Sequence, residues 1–384
     1  MFRNAILIFS LLLFQSVSWG ADKAPVFTQK EFARLIMKQL SLSEGLPKET
    51  ADRDYLLILS GKRTFRYEAE NAYNELTDRV TMREFPLFGE FTGKGWILGV
   101  SDITDATFTI WLPAAGEYNF KAVIKGDGFV WCIDDKEYRA DSKSKKFQEI
   151  DVAKVRLKAG VATIKVIIPP DGAIDSFTLT APDEAPIQPF MGWRFKEGLT
   201  AVRMAEIAVS MTNSYAQLPD VEQSSSLKPI AVFDKVVLPP NILPTEIDYL
   251  GKFSSAKWVR ADFRGATLQI PVAVADAGYY SLTANVMGGD ISGKINNISF
   301  KLAAKSYLSK TNLGVYRLES GENTLSINLP PMGGIDSVEL SKKSTSPDDF
   351  MRLAGVRGPI ERLIGADEAA DLLKSIQGSL AIRK

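Results

Sequence analysis

Pro169-Pro-Asp-Gly-Ala-Ile-Asp175-Ser176 returns late in the chain as Pro330-Pro-Met-Gly-Gly-Ile-Asp336-Ser337. Three more blocks repeat in the same order. Ala106-Thr-Phe-Thr-Ile110 matches Ala266-Thr-Leu-Gln-Ile270, and Gly116-Glu-Tyr118-Asn-Phe120 matches Gly278-Tyr-Tyr280-Ser-Leu282. Leu157-Lys-Ala-Gly160 matches Leu318-Glu-Ser-Gly321. The four offsets lie between 160 and 162 residues. Self-similarity at a fixed spacing marks a duplicated folding unit. Within each unit the apolar period is two: Tyr118, Phe120, Ala122 and Ile124 in the first, Tyr280, Leu282, Ala284 and Val286 in the second. Such alternation predicts strands with one face on a core. The expected fold class is mainly β with helical additions. Two antiparallel, jelly-roll-like β-sandwiches are connected and flanked by short α-helices.

Working outward, the copies span 66–182 and 229–343. Between and around them the period becomes helical. In the N-terminal segment 21–65, Phe32, Leu35, Ile36 and Leu40 form a stripe, opened by a capping box from Thr28 and Glu31. In the connector 183–228, Met204, Ile207, Ala208, Met211 and Tyr215 form a second stripe, and Ser224-Ser-Ser226 marks a loop. The C-terminal segment 344–384 opens with Ser346 as a cap and Pro347 at the first helical position. Its stripes are Phe350, Leu353 and Ala354, then Ile360, Leu363 and Ile364, then Leu372, Leu373 and Ile376. These stripes are expected to brace the sandwiches against each other.

Residues 1–20 read as a secretory signal peptide. Arg3 supplies the charge, Ala5 to Phe14 the apolar run, and Ser18-Trp19-Gly20 the small residues before the cut. The apolar run is short for a membrane span. The expectation is a bacterial protein of the periplasm or the cell exterior, with no transmembrane segment after cleavage. Lys+Arg and Asp+Glu are equal at 46 each in 384 residues, which argues against a nucleic-acid partner. The chain has no His, so Ser–His and Cys–His nucleophile arrangements are absent. The lone Cys132 excludes an internal disulfide and a Cys-based zinc site.

Among the acids, Glu68 and Glu70 share a strand face by spacing, and Asp175 has the parity of the inward Phe177 and Leu179. A buried ionised Asp is costly unless it is paired or bound to an ion. With the first and last strands side by side, the three acids converge in a way that suits Ca²⁺. Among the aromatics, Trp111 has the parity of Thr107 and Thr109, on the solvated face, and its counterpart is Pro271. Trp96, Trp131 and Tyr138 lie near predicted loops or strand ends. An exposed ring beside polar groups is what a sugar's flat C–H face needs.

The first copy resembles the carbohydrate-binding modules of families 6 and 35, which have a galactose-binding-like β-sandwich. The resemblance is carried by Tyr67-Glu-Ala-Glu70-Asn, Gly95-Trp96, Pro113-Ala-Ala-Gly116-Glu-Tyr118, Val155-Arg-Leu-Lys-Ala-Gly160 and Ile174-Asp175-Ser-Phe177. It covers about residues 66–181, and the second copy shares it through the internal repeat. The resemblance implies a structural calcium site built from opening Glu and closing Asp residues, hence a Ca²⁺ cofactor in the first sandwich. The second copy lacks the opening acids. Where the family's cleft often carries an Asn, two residues before the closing Asp, this chain has Ala173 and Gly334.

These readings predict an exported, non-catalytic protein that binds polysaccharide of the envelope or extracellular matrix through tandem modules. Carbohydrate contacts are expected at Trp96, Trp111, Trp131 and Tyr138, and metal contacts at Glu68, Glu70 and Asp175. The alternative is an envelope scaffold or adhesion protein whose sandwiches bind protein partners. A carboxylate-dependent glycoside hydrolase or lyase is the remaining alternative.

Overall fold

The computed structural model describes residues 26–40, 42, 51–100, 103–221 and 229–381. The predicted signal peptide and the Ser224–Ser226 loop lie outside the described residues. Two helices come first, α1 (Gln29–Gln39) and α2 (Asp52–Leu59). The predicted capping box at α1 is present: Thr28 accepts from the Glu31 N–H and Glu31 accepts from the Thr28 N–H.

The first sandwich runs β1 (Thr64–Glu68), α3 (Ala69–Ala72), β2 (Thr81–Arg83), β3 (Trp96–Leu98), β4 (Thr104–Leu112), β5 (Gly116–Lys125), β6 (Phe129–Ile133), β7 (Lys136–Ala140), β8 (Gln148–Leu157), β9 (Gly160–Ile168) and β10 (Ala173–Thr180). One sheet has the order β2-β3-β10-β5-β8, with β1 also on β10, and the other β4-β9-β6-β7. Every pairing is antiparallel.

After α4 (Ala201–Thr212) the second sandwich repeats this plan. Its elements are β11 (Ile230–Ala231), α5 (Val232–Lys235), β12 (Ile242–Thr245), β13 (Trp258–Ala261), β14 (Ala266–Val274), β15 (Gly278–Met287), β16 (Asp290–Ile295), β17 (Ile298–Ala303), β18 (Ser309–Leu318), β19 (Gly321–Leu329) and β20 (Gly334–Lys342). The orders β12-β13-β20-β15-β18 and β14-β19-β16-β17 match the first copy strand for strand. Helices α6 (Pro347–Ala354) and α7 (Ala366–Ala381) close the described chain. Among the described residues no helix is long and apolar enough to cross a membrane.

The alternation works as the sequence predicts. Phe108, Ile110 and Leu112 of β4 are buried, whereas Thr109 is exposed. The repeated Pro-Pro segments form matching turns, with Gly172 N–H on the Pro169 carbonyl and Gly333 N–H on the Pro330 carbonyl. The third position of each turn has positive φ, at Asp171 and Met332. That geometry belongs to a type II turn, which fits Pro at the second position.

Helices α1, α4, α6 and α7 form a third core around Phe32, Ile36, Leu199, Ile207, Phe350 and Leu373. Tyr279 of β15 belongs to this core, so the hub grips the second sandwich directly. Tyr279 stacks on Tyr215 with ring centroids 4.0 Å apart. At the exit of the first sandwich, Asp183 forms a parallel bridge with Ile298 of β17. Two helical expectations need correction. Residues 355–365 are irregular, because Gly355 ends α6 in a left-handed conformation and Gly358-Pro359 follows. Ser346 precedes α6 without a side-chain cap.

Candidate functional site

The closing aspartates sit on β-bulges. In β10 the register with β5 shifts between Ile174 and Ser176, and in β20 the register with β15 shifts across Asp336. A bulge inserts one residue, so parity fails on passing it. Asp175 therefore does not share the inward face of Phe177, as its spacing predicts. Its carboxylate lies under the loop joining β2 and β3, where Oδ1 accepts from the Thr92 N–H at 2.8 Å. Oδ2 accepts from the Ser176 hydroxyl at 3.0 Å and lies 3.1 Å from the Thr92 hydroxyl oxygen. Asp336 repeats the arrangement. Oδ1 accepts from the Ser254 N–H at 2.9 Å, and Oδ2 accepts from the Asn285 amide at 3.1 Å and the Ser337 hydroxyl at 2.8 Å. Each Asp ties a long loop onto its sheet.

Glu68 ends β1 whereas Glu70 stands in α3, so the two do not share a strand face as their spacing predicts, but both lie beside this loop. The Arg66 guanidinium stands between Glu68 and Asp175, with Nε 3.1 Å from Glu68 Oε1 and Nη2 3.4 Å from Asp175 Oδ2. Glu70 is buried; its Oε1 accepts from the Lys94 N–H at 2.8 Å, and its Oε2 has no partner among the described residues. That orphaned oxygen suits a cation, but the inner oxygens of the other two acids face protein donors. Among the described residues no group of three His, Cys, Asp or Glu side chains is arranged to hold a metal. As arranged, Glu68, Glu70 and Asp175 do not fit a bound calcium ion.

The predicted sugar contacts separate. Trp96 is fully buried in β3: its indole N–H donates to the Phe85 carbonyl at 2.9 Å, and Phe85, Phe88 and Phe147 surround the ring. Trp131 is fully buried between Phe108 and Phe120. Both are corrections, since a ring inside a core cannot meet a sugar face. Odd parity wins in β6, which turns Phe129, Trp131 and Ile133 inward and leaves Cys132 half-buried outside. Burial raises the Cys132 thiol pKa. Tyr138 is half-buried against the core opposite Trp131, so it is not an open platform either. Trp111 alone keeps its predicted place, half-exposed on the outer face opposite the exposed Val161.

The second copy differs at the loop end. Trp258 takes the place of Trp96, donating to the Ile247 carbonyl at 3.0 Å, but its cover is aliphatic: Leu250, Leu308 and Met287, with Phe253. A main-chain bond ties the covering loops in each copy, Phe147 N–H to the Phe88 carbonyl and Leu308 N–H to the Leu250 carbonyl. Just before the tied residues stand Leu87 and Lys146 in the first copy, and Tyr249 and Tyr307 in the second. Tyr249 is 82% exposed and Tyr307 is 47% exposed. The Lys305 ammonium lies 5.3 Å from the Tyr307 ring centre. Two exposed aromatic side chains on loops joined by a main-chain bond, one with a cation over its ring, are groups of the kind that can stack on a sugar ring. Loop residues carry no periodic signal, so sequence reading missed both tyrosines. Aligning the copies through their Trp positions finds them.

No family model matches the chain, and no curated protein matches it. Among solved structures it is similar in part to a Podospora anserina GH26-CBM35 β-(1,4)-mannanase, at 20% identity and TM-score 0.26, over 41% of this chain and 36% of that one. It is similar to a Paenibacillus xanthan lyase at 11% identity and TM-score 0.29, over 73% of this chain and 26% of that one. A family 35 carbohydrate binding module from Clostridium thermocellum matches at 14% identity and TM-score 0.25, over 29% of this chain and 95% of that module. The chain thus spans about a third of the mannanase and about a quarter of the lyase. These partial likenesses assign neither ligand nor activity.

Proposed function

We propose that this chain is a non-catalytic polysaccharide-binding protein that acts outside the cytoplasm. Its principal contact is the Tyr249–Tyr307 loop end of the second sandwich, and Trp111 on the first is a second, weaker contact. The observation that carries the reading is the pair of exposed tyrosines on two loops joined at Leu250 and Leu308. The predicted signal at 1–20 supports the compartment, and the absence of His removes Ser–His and Cys–His nucleophiles. Two modest contacts on one chain gain from a high effective concentration along a repeating polymer.

Affinity electrophoresis of the full chain against a panel of neutral and acidic polysaccharides tests it. Retardation by at least one polymer is expected. Tyr249→Ala and Tyr307→Ala should each weaken binding by about tenfold, which corresponds to about 1.4 kcal/mol of lost ring contact. Trp111→Ala should act less. Retardation by no polymer, or a double tyrosine variant that binds like the parent, overturns the reading. Product release from the retarding polymer would overturn the non-catalytic part.

A further inference from the structure

We infer that Arg66 is a built-in cation, so the first sandwich fastens its β2–β3 loop without a metal ion. The inference is independent of the sugar-binding reading. Glu68 of β1, Glu70 of α3 and Asp175 of β10 all meet the β2–β3 loop, Glu68 and Asp175 together at Thr92 and Glu70 at the Lys94 N–H. Carboxylates this close repel unless positive charge or donors intervene. Arg66 supplies both. Its guanidinium reaches Glu68 at 3.1 Å, the Ser176 hydroxyl at 2.7 Å, Asp175 at 3.4 Å and the Thr92 hydroxyl. The Thr92 hydroxyl in turn donates to Glu68 Oε2 at 2.7 Å. A planar fork with several donors suits this divided role better than a single ammonium.

The second copy is the internal control. Ser176 pairs with Glu68, and its counterpart Ser337 pairs with Ala231. Counting from that register, Ala231 stands for Glu68, Phe233 for Glu70 and Pro229 for Arg66. The acids and the arginine are missing together. The Asp survives, and there it is met by the neutral Asn285 amide. A guanidinium is thus found in the copy that has extra carboxylates and not in the copy that lacks them. Its charge answers theirs, and a calcium ion would compete for the same oxygens.

Removing the guanidinium should leave an oxygen-lined site for a hard cation. The test compares hydrogen exchange of the Thr92 amide and calcium titration calorimetry, for the full chain and for Arg66→Ala. In the parent chain, protection should be the same in EDTA and in millimolar Ca²⁺, with no calcium heat. In Arg66→Ala, exchange at Thr92 should quicken by about tenfold in EDTA, the scale of one lost charge-assisted bond, and slow again in Ca²⁺. If Arg66→Ala does not accumulate folded, Arg66→Gln refolded in Ca²⁺ against EDTA gives the same readout. Calcium binding by the parent chain would overturn the inference and restore the site that the family resemblance implies. So would a folded Arg66 variant that is indifferent to calcium.

Discussion

The two sandwiches share a frame and differ in filling. The core of the first is aromatic: Phe108, Phe120, Trp131 and Phe177 pack with centroids 5.0 to 6.2 Å apart. At the corresponding positions the second has Leu268, Leu282, Gly293 and Val338. The space left where Trp becomes Gly is taken by Phe300, which faces Gly293 across β16 and β17. A Cβ added at Gly293 would meet the Phe300 ring at 2.5 Å. Strand order and register survive this exchange of core side chains, as cores tolerate when volume and pattern are kept. What stays constant is backbone chemistry: the Pro-Pro turn, the bulge, the Asp that holds a loop, and the Trp beneath it.

The largest test of that comparison is in the cores. Trp131→Ala should cost about 3–5 kcal/mol, because a large buried ring leaves a cavity. Gly293→Ala should cost about 1–3 kcal/mol for the opposite reason, overpacking against the Ser326 carbonyl and the Phe300 ring. Urea unfolding followed by circular dichroism checks both; equal and small effects would mean that the cores are not filled as described.

The aspartates come next. Asp175→Ala should cost about 2–3 kcal/mol and Asp336→Ala about 1–2 kcal/mol, since only the first removes a charged partner as well as loop and hydroxyl donors. The difference is kept small because Arg66 is 41% exposed and solvent screens it. An order reversed in the same unfolding assay would break the comparison.

The smallest effect separates the copies by their neighbours. Tyr279 is buried in the helical hub, whereas its counterpart Glu117 is exposed. Beside Tyr279, Glu206 is buried, with Arg203 2.8 Å away and the Phe190 N–H at 3.1 Å. Burial raises its pKa above the ordinary carboxylate value, against the lowering by Arg203. In the window between the unfolded and folded pKa values the folded state holds the extra proton. Stability should therefore fall as pH rises through that window and be flat above it. Thermal melts of Glu206→Gln across pH should lose this slope; an unchanged slope would assign it to another group.

Much of the frame was legible in the sequence because strands announce themselves by alternation and repeats by spacing. The capping box at Thr28, the inward Phe108 and Leu282, and the outward Trp111 follow directly from the period. Asp175 was readable as costly, but not its direction, since a bulge leaves no mark in a parity count. Trp131 sat in an all-apolar strand where both parities had claimants. Tyr249 and Tyr307 lie in loops, where position follows from tertiary ties such as Leu308 to Leu250. Arg66 was overlooked because its meaning depends on which strands become neighbours.

The bridge between Asp183 and Ile298 has a consequence for any attempt to divide the molecule. Strand β17 is the outer strand of its sheet, and an unpaired outer strand invites a foreign strand to dock on it. Here the tail leaving the first sandwich docks on that rim and brings an acidic side chain, itself anchored by the Arg63 N–H. A second sandwich cut free of residues 183–228 would lose this guard and show a raw border to its own kind. Self-association should then appear in the isolated half while the intact chain stays dispersed.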